Sequence, residues 1–357
     1  MIKNNDMTAQ LIESFADRMM DMYDLPGLSI GVLKGEDGFL TARGYRNYIT
    51  KDPMEPDHIF HCASVSKLFT SAGIMKLVED GEIALDDRLV DILPESSISD
   101  RRCENVTIQQ MLTHTSGLGD VEDYRWDTPR TDDGALRDYV MSDEVKDTPM
   151  LWEPGQGGFR YSNIAYEMLG LIVSEKTGMT FEDAMEKWLL RPSAMHDSTF
   201  LTFQRTGGSL DADQIDSTGN MAMPYSKAED RSIVPEPYYP YNRMHGPSST
   251  LTSNAGDLLE WAKRHMDREV FAPETYDIIW RSYVEVPNNG EGMGLGWFIR
   301  KQEGYTLYGH EGTDDGFRAS FWICPEIKTA VTVLANISNA PVKKINKKLF
   351  AELVTRL

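Results

Sequence analysis

Over residues 7–23 apolar side chains return every three or four positions, and Leu11, Ile12, Phe15, Met19 and Met22 keep helical spacing. That period predicts an amphipathic helix. The pattern then shortens: Leu28–Leu33 and Gly38–Ala42 are read as two strands joined by a tight Gly35-Glu36-Asp37-Gly38 turn. From residue 64 the helical period takes over. It predicts a helix over 64–79, with Leu68, Ile74, Met75 and Val78 inward and a stop near Gly81. Val106–His114 and Tyr166–Lys176 follow, then Thr180–Leu190, which opens on Thr180 as cap with Asp183 at the capping-box position. Residues 203–247, rich in Gly, Pro, Asp and Ser, are read as a long connection with little regular structure, and connections of that length usually carry function. After a helix at about 255–267, strand-like patterning marks Gly294–Lys301, Tyr305–Gly309, Phe317–Cys324 and Thr329–Ala335. An amphipathic helix from Val342 to about Arg356 closes the chain.

Strands near both ends with helices between them predict an α/β (α+β) fold: one antiparallel sheet built from both chain ends, flanked by helices, with an inserted, mainly helical lobe. Residues 1–60 and 285–357 would form the sheet lobe and 61–284 the helical lobe, with the helix at residue 64 at their junction. The 357 residues are enough for such a core. The formal net charge of −20 argues against nucleic acid, whose phosphates need a basic surface. No stretch approaches the roughly 20 apolar residues of a membrane span. Met1 to Asp6 lack the features of a secretion signal. The sequence as it stands therefore reads as cytoplasmic, and as periplasmic or secreted if a leader has been removed. Cys62, Cys103 and Cys324 are odd in number and lack CxxC spacing, so neither a disulfide framework nor a zinc site is expected. No cofactor is expected, and oligomeric state is not legible.

Three short motifs carry candidate chemistry. Ser64-Val65-Ser66-Lys67 is the only SxxK in the chain. On one helical turn residues three apart share a face, so the Ser64 hydroxyl and the Lys67 ammonium can meet. A serine needs a base to become a nucleophile, and a lysine screened from water can have its pKa lowered toward that role. Tyr-x-Asn occurs twice. Tyr45-Arg46-Asn47 lies in a polar strand-to-turn segment and is read as a surface turn. Tyr161-Ser162-Asn163 follows the Pro154-Gly155 turn and precedes a helix, a position that projects side chains into a cleft. There Tyr161 can relay the serine proton, and Asn163 can hydrogen-bond Lys67 and a substrate amide. Lys176-Thr177-Gly178 ends an apolar helix and is assigned to capping, with Gly178 as the left-handed cap. His310-Glu311-Gly312 instead follows the strand at Tyr305–Gly309, where a strand edge can pair with an extended substrate and Gly312 allows close approach. The N–H groups of Thr313 and Ser64 would then form an oxyanion hole.

With the three motifs in this order, the chain resembles the class C β-lactamase and penicillin-binding serine hydrolase family; the S-x-x-K signature occurs in related enzymes. Leu112-Thr113-His114-Thr115-Ser116-Gly117-Leu118 is similar to its helix-to-loop hallmark, and Trp152-Glu153-Pro154-Gly155 to its approach to the tyrosine. Gly246 to Asp257 looks like its G-x-x-S-T-x-x-D-L segment, with Pro247 and Ser248 where glycine and an apolar residue are common. Gly294-Leu295-Gly296-Trp297 and Gly309 to Phe317 match its C-terminal strands, so the resemblance covers roughly residues 8–355. It implies Ser64 as the acylated nucleophile, Lys67 and Tyr161 sharing general base and acid work, and Asn163 positioning substrate. Where class C β-lactamases carry Lys-Thr-Gly, this chain has His310-Glu311-Gly312, the pattern of the family's D-amino-acid peptidases and esterases. Histidine is mostly neutral near pH 7 and offers less fixed charge to a substrate carboxylate.

The expected activity is hydrolysis of short esters or D-residue peptides and amides through a Ser64 acyl-enzyme, weak on β-lactams. The alternatives are a β-lactamase or DD-carboxypeptidase proper, or a non-catalytic acylatable sensor. A metallohydrolase lacks its H-E-x-x-H here. Of the remaining residues, Arg318 could bind a substrate carboxylate but is read as an exposed strand residue, and His58 and His61 as core or surface histidines. Tyr124, Trp126 and Tyr238 to Tyr241 are read equally as pocket lining or loop packing.

Overall fold

The computed structural model describes residues 6–95, 98–206 and 212–356. Residues 1–5, read above for a leader, and 207–211 of the long connection lie outside the described residues.

In chain order the early strands are β1 (Gly27–Lys34), β2 (Asp37–Asn47), β3 (Asp52–Pro53) and β4 (Phe60–His61). Three short ones follow: β5 (Tyr225–Lys227), β6 (Ile233–Pro235) and β7 (Thr252–Ser253). The C-terminal set is β8 (Val284–Val286), β9 (Glu291–Met293), β10 (Phe298–Gln302), β11 (Tyr305–Asp314), β12 (Phe317–Cys324) and β13 (Thr329–Ala335). Nine of them form one sheet in the order β3-β2-β1-β13-β12-β11-β10-β9-β8, with antiparallel pairing throughout. The two ends of the chain meet in its middle, where Leu28 on β1 opposes Ala335 on β13. A mixed α/β fold with a large antiparallel sheet flanked by helices is thus what the patterning predicts.

The helix Asp6–Tyr23 and the C-terminal helix Val342–Arg356 pack together and cover the sheet, the first on β1 and β2, the second on β12 and β13. Ile12, Phe15 and Met19 are buried as their spacing requires, each worth about 1.5–3 kcal/mol of transfer. Met22 instead is exposed, because the apolar stripe ends one turn earlier. The helix Ala255–Met266, inside the stretch read as the helical lobe, packs on β1, β12 and β13.

Between the sheet strands, Ser66–Glu79 and Asn163–Thr177 are the two long buried helices, packed against each other. Both are apolar nearly all round, the signature of a helix enclosed on every side. Two expectations need correction. The helix read as Val106–His114 is only Ile108–Leu112, because Thr107 and Gln110 close a capping box and start it later. The 203–247 connection is more structured than its composition suggests: it holds the β5/β6 hairpin and short helical turns, including Arg243–His245. Gly178 takes the left-handed conformation, φ 66°, and ends its helix, as expected of Lys176-Thr177-Gly178.

Candidate active site

Ser64 sits in a single 3₁₀ turn, Ala63–Val65, that runs directly into the helix Ser66–Glu79. Ala63 just before it is held at φ 47°, a conformation that costs a residue with a Cβ of order 1–2 kcal/mol. The fold holds it there: the Ser66 hydroxyl donates to the Ala63 carbonyl (2.7 Å) and accepts from the Leu251 N–H (2.9 Å). β11 presses on the same turn. A Cβ on Gly312 would lie 2.2 Å from the Cys62 carbonyl oxygen, so glycine there lets the strand reach the Ser64 turn. The chain itself, rather than a ligand, makes that close approach.

Lys67 is fully buried and its Nζ donates to three oxygens: Ser64 Oγ (3.2 Å), Asn163 Oδ1 (2.6 Å) and the Ser248 carbonyl (2.8 Å). Burial lowers its pKa to about 8, against the opposing pull of Glu167, Asp120 and Asp314. Tyr161 lies beside them, its ring 4.9 Å from Lys67 Nζ and its hydroxyl bonded to Ser64. Burial holds that phenol well above its ordinary range, partly offset by the Ser64 hydrogen bond. Of this trio, then, Lys67 is the group that changes protonation nearest neutrality.

Tyr161 is placed from two directions. The His114 ring stacks on it at 4.3 Å, and His114 Nδ1 accepts the Ser162 N–H (3.1 Å). Ser162 then caps the helix, accepting from Ala165 N–H while donating to the Gly119 carbonyl (2.6 Å). Asp120 Oδ1 accepts both the Asn163 N–H (2.7 Å) and its side-chain Nδ2 (3.0 Å). That fixes the amide so that only Oδ1 can face Lys67.

His310, Glu311, Gly312 and Thr313 all lie within β11, which runs on to Asp314 rather than stopping at Gly309. β10 pairs only with Tyr305–Gly309, so β11 beyond Gly309 is unpaired on that side. His310 is buried, and its Nδ1 lies 2.6 Å from the Glu311 carbonyl. A carbonyl only accepts, so Nδ1 carries the proton and Nε2 is a buried acceptor with no partner among the described residues. Burial first, and the Lys67 charge second, push the His310 pKa down to about 3, so the ring is neutral near pH 7. A cleft of about 320 Å³ brings together Ser64, Tyr124, Tyr161, Asn163, His310 and Thr313.

Other residues fall where their sequence gave no clue. Tyr124 lines the cleft and stacks on Trp126 (4.8 Å), which is buried behind it. Tyr239 and Tyr241 are buried, and the Tyr238 hydroxyl reaches Asp315 (3.4 Å). His61 is buried and paired through Nε2 with Asp314 Oδ2 (2.7 Å). His58 Nδ1 accepts the Glu55 N–H (2.9 Å). Arg318 is half-buried rather than exposed, its Nη1 donating to the Asp314 and Phe317 carbonyls at 2.7 Å. Tyr45-Arg46-Asn47 is not a plain surface turn: Arg46 and Asn47 are buried, and Arg46 pairs with Asp52 and Asp216.

Sequence reading missed Asp120, Glu167 and Ser248. Glu167 is completely buried one helical turn after Asn163 and accepts the Ser248 hydroxyl (2.5 Å), placing a carboxylate behind the carbonyl that holds Lys67. The i,i+4 relation to Asn163 was the available signal for Glu167, and the end of the Leu112–Leu118 loop for Asp120.

A family model described as "Beta-lactamase" matches residues 12–354. Penicillin-binding protein 4 of Amycolatopsis lactamdurans is 26% identical over 334 residues, covering 90% of this chain and 83% of that protein. The octameric penicillin-binding protein homologue from Pyrococcus abyssi superposes with a TM-score of 0.81 at 28% identity, covering 97% of this chain and 77% of that one. The D-amino acid amidase of Ochrobactrum anthropi SV3 shares the fold, with a TM-score of 0.80 at 20% identity over 98% of this chain and 99% of its own. Nearly the whole chain is accounted for by that match, from the N-terminal helix to the C-terminal one, and the protein belongs to the β-lactamase family of serine hydrolases.

Proposed function

We propose that the protein hydrolyses short esters, and amides or peptides of D-residues, through an acyl-enzyme on Ser64, with β-lactams as slow acylators. The observation that carries this is the fully buried Lys67, with its pKa lowered to about 8, 3.2 Å from Ser64 Oγ. At pH 7 roughly one such lysine in ten is neutral and able to accept a proton. Neutral Lys67 takes the Ser64 proton as Oγ attacks the carbonyl carbon. The developing oxyanion accepts from the N–H groups of Ser64 and Thr313. The Asp314/Phe317 pair closes the β11–β12 hairpin across two residues, and ladder alternation then turns the Thr313 N–H away from β12 toward the unpaired edge. As the intermediate collapses, Tyr161 gives its proton to the leaving group and recovers one from the Lys67 ammonium. Water then attacks the acyl carbon, the proton steps run in reverse, and Ser64 is released.

His310 supports the ester and D-amide reading over a dedicated β-lactamase. A neutral ring at this position gives a substrate carboxylate no cation to pair with. The names of the relatives, a penicillin-binding protein and a D-amino acid amidase, point to the same chemistry. The test is a fluorophosphonate label followed by peptide mapping, together with turnover of p-nitrophenyl esters, D-amino-acid amides and nitrocefin. Labelling should fall on Ser64, and Ser64→Ala should abolish turnover. Full activity in Ser64→Ala overturns the mechanism, and a burst of acylation without turnover favours an acylatable sensor.

A further inference from the structure

Glu167 has no part in the proton steps above, yet its side chain is completely buried one helical turn after Asn163. A carboxylate taken out of water carries a desolvation cost that its partners must offset. It meets two donors among the described residues, both at Oε1: the Ser248 hydroxyl (2.5 Å) and His245 Nδ1 (3.2 Å). Both come from one stretch, the 3₁₀ turn Arg243–His245 and the short helix Gly246–Ser249 that continues it. Three residues after Glu167, the same helix face carries Gly170, where a Cβ would lie 2.0 Å from Pro247 Cγ. Helix and turn are thus locked at two successive points, one hydrogen-bonded and one packed.

Ser248 joins two charges. Its hydroxyl goes to Glu167, and its carbonyl accepts the Lys67 ammonium (2.8 Å). The neighbouring Pro247 carbonyl takes the Thr70 hydroxyl (2.6 Å), one turn along the Lys67 helix, so the backbone that receives Lys67 is held from both long helices. An apolar side chain at 248, common in this segment of the family, would still offer the carbonyl but could not hydrogen-bond Glu167. Of the carboxylates that oppose the effect of burial on Lys67, Glu167 acts most strongly, ahead of Asp120 and Asp314. Asp314 is itself tied to His61 and Ser249, and Asp120 to the Asn163 amide.

We infer that Glu167 is a positioning residue for acylation: acting through Ser248, its carboxylate fixes the carbonyl that receives Lys67 and holds the proton on Lys67 in the free enzyme. The inference rests on the hydrolase reading above and adds a control to it. The base must be neutral to take the Ser64 proton, so this counter-charge opposes acylation near neutral pH and sets where on the pH scale it begins. Around Glu167 stand Lys67, His245, Tyr124 and Tyr139. Around Lys67 stand Asp120, Asp314, Tyr161, Tyr166, His114 and His310. Burial pushes all four phenols up and the His114 and His310 rings down, so none of these six competes with Lys67 for a proton near neutrality.

The test is the pH dependence of Ser64 labelling by a fluorophosphonate, which reads acylation alone and needs no knowledge of the natural substrate. Glu167→Gln keeps the volume and an acceptor for the Ser248 hydroxyl while removing the charge. Its inflection should fall about 0.5 pH unit or more below that of the native protein. Ser248→Ala, which cuts the link but keeps the carboxylate, should lower the plateau rate about fivefold or more. A purely structural role would lower melting temperature and plateau together and leave the inflection in place. A smaller or opposite shift in Glu167→Gln, or a native plateau in Ser248→Ala, overturns the inference. Should the native protein not label at Ser64, the hydrolase reading is what fails. The Lys67 charge is then read from the ¹³C NMR titration of lysine Cε, assigned with Lys67→Met. Equal midpoints in native protein and Glu167→Gln overturn the inference there too.

Discussion

The two Tyr-x-Asn segments put the same side chains to different uses. Asn47 Oδ1 accepts the N–H groups of Ile49 (2.9 Å) and Thr50 (3.1 Å) and the Tyr225 hydroxyl (3.0 Å). It closes a turn. Asn163 is held between a carboxylate and an ammonium, Asp120 on one side and Lys67 on the other. Tyr45 lies under the exposed Lys51 ammonium, 4.9 Å from its ring, whereas Tyr161 meets the fully buried Lys67 ammonium at the same 4.9 Å. In water that pairing contributes little, while in a buried site it shifts proton affinities. The motif is shared, and its surroundings decide what each copy does.

That contrast can be broken by matched substitutions. Tyr161→Phe should lower kcat by about 10²–10⁴-fold, as for loss of a general acid–base group, while Tyr45→Phe should stay within about twofold. A similar loss from both would dissolve the distinction. Asp120→Ala frees the Asn163 amide to turn its NH₂ toward Lys67 and should cost about 10–100-fold in kcat/KM with little change in melting temperature. Melting that falls in step with activity would make Asp120 a structural residue only. The pH profile sharpens the point. Because the base must be neutral, kcat/KM should rise about tenfold per pH unit and level off near the Lys67 pKa of about 8. Since His310 titrates only near pH 3, no second inflection is expected between pH 5 and 7. Asn47→Ala should lower stability by about 1–3 kcal/mol, read from urea unfolding, with kcat per folded molecule unchanged.

What could be read in advance follows how far apart the partners are along the chain. Ser64 and Lys67 are legible because three residues on one turn settle their meeting. The strands β12 and β13 and the two terminal helices are legible because long, regular apolar patterns leave little choice. Ser248 carries no local mark and Asp120 only its place after the Leu112–Leu118 loop: their partners, Lys67 and Asn163, are set by tertiary packing. β8 and β9, three residues each, are too short for alternation to register. The unpaired half of β11 was hidden for a different reason, since where a neighbouring strand stops is a property of the sheet and not of the strand itself.

The pairing of β1 with β13 has a consequence for synthesis. Strand β1 leaves the ribosome long before β13, its central partner. Until then the sheet's middle has no neighbour on that side and β11 cannot press on the Ser64 turn. Contacts so distant in sequence are slow to form, and the waiting chain exposes apolar surface. The Ser64 turn is therefore made well before the strand that braces it, and the cleft is completed only after β11 to β13 have emerged.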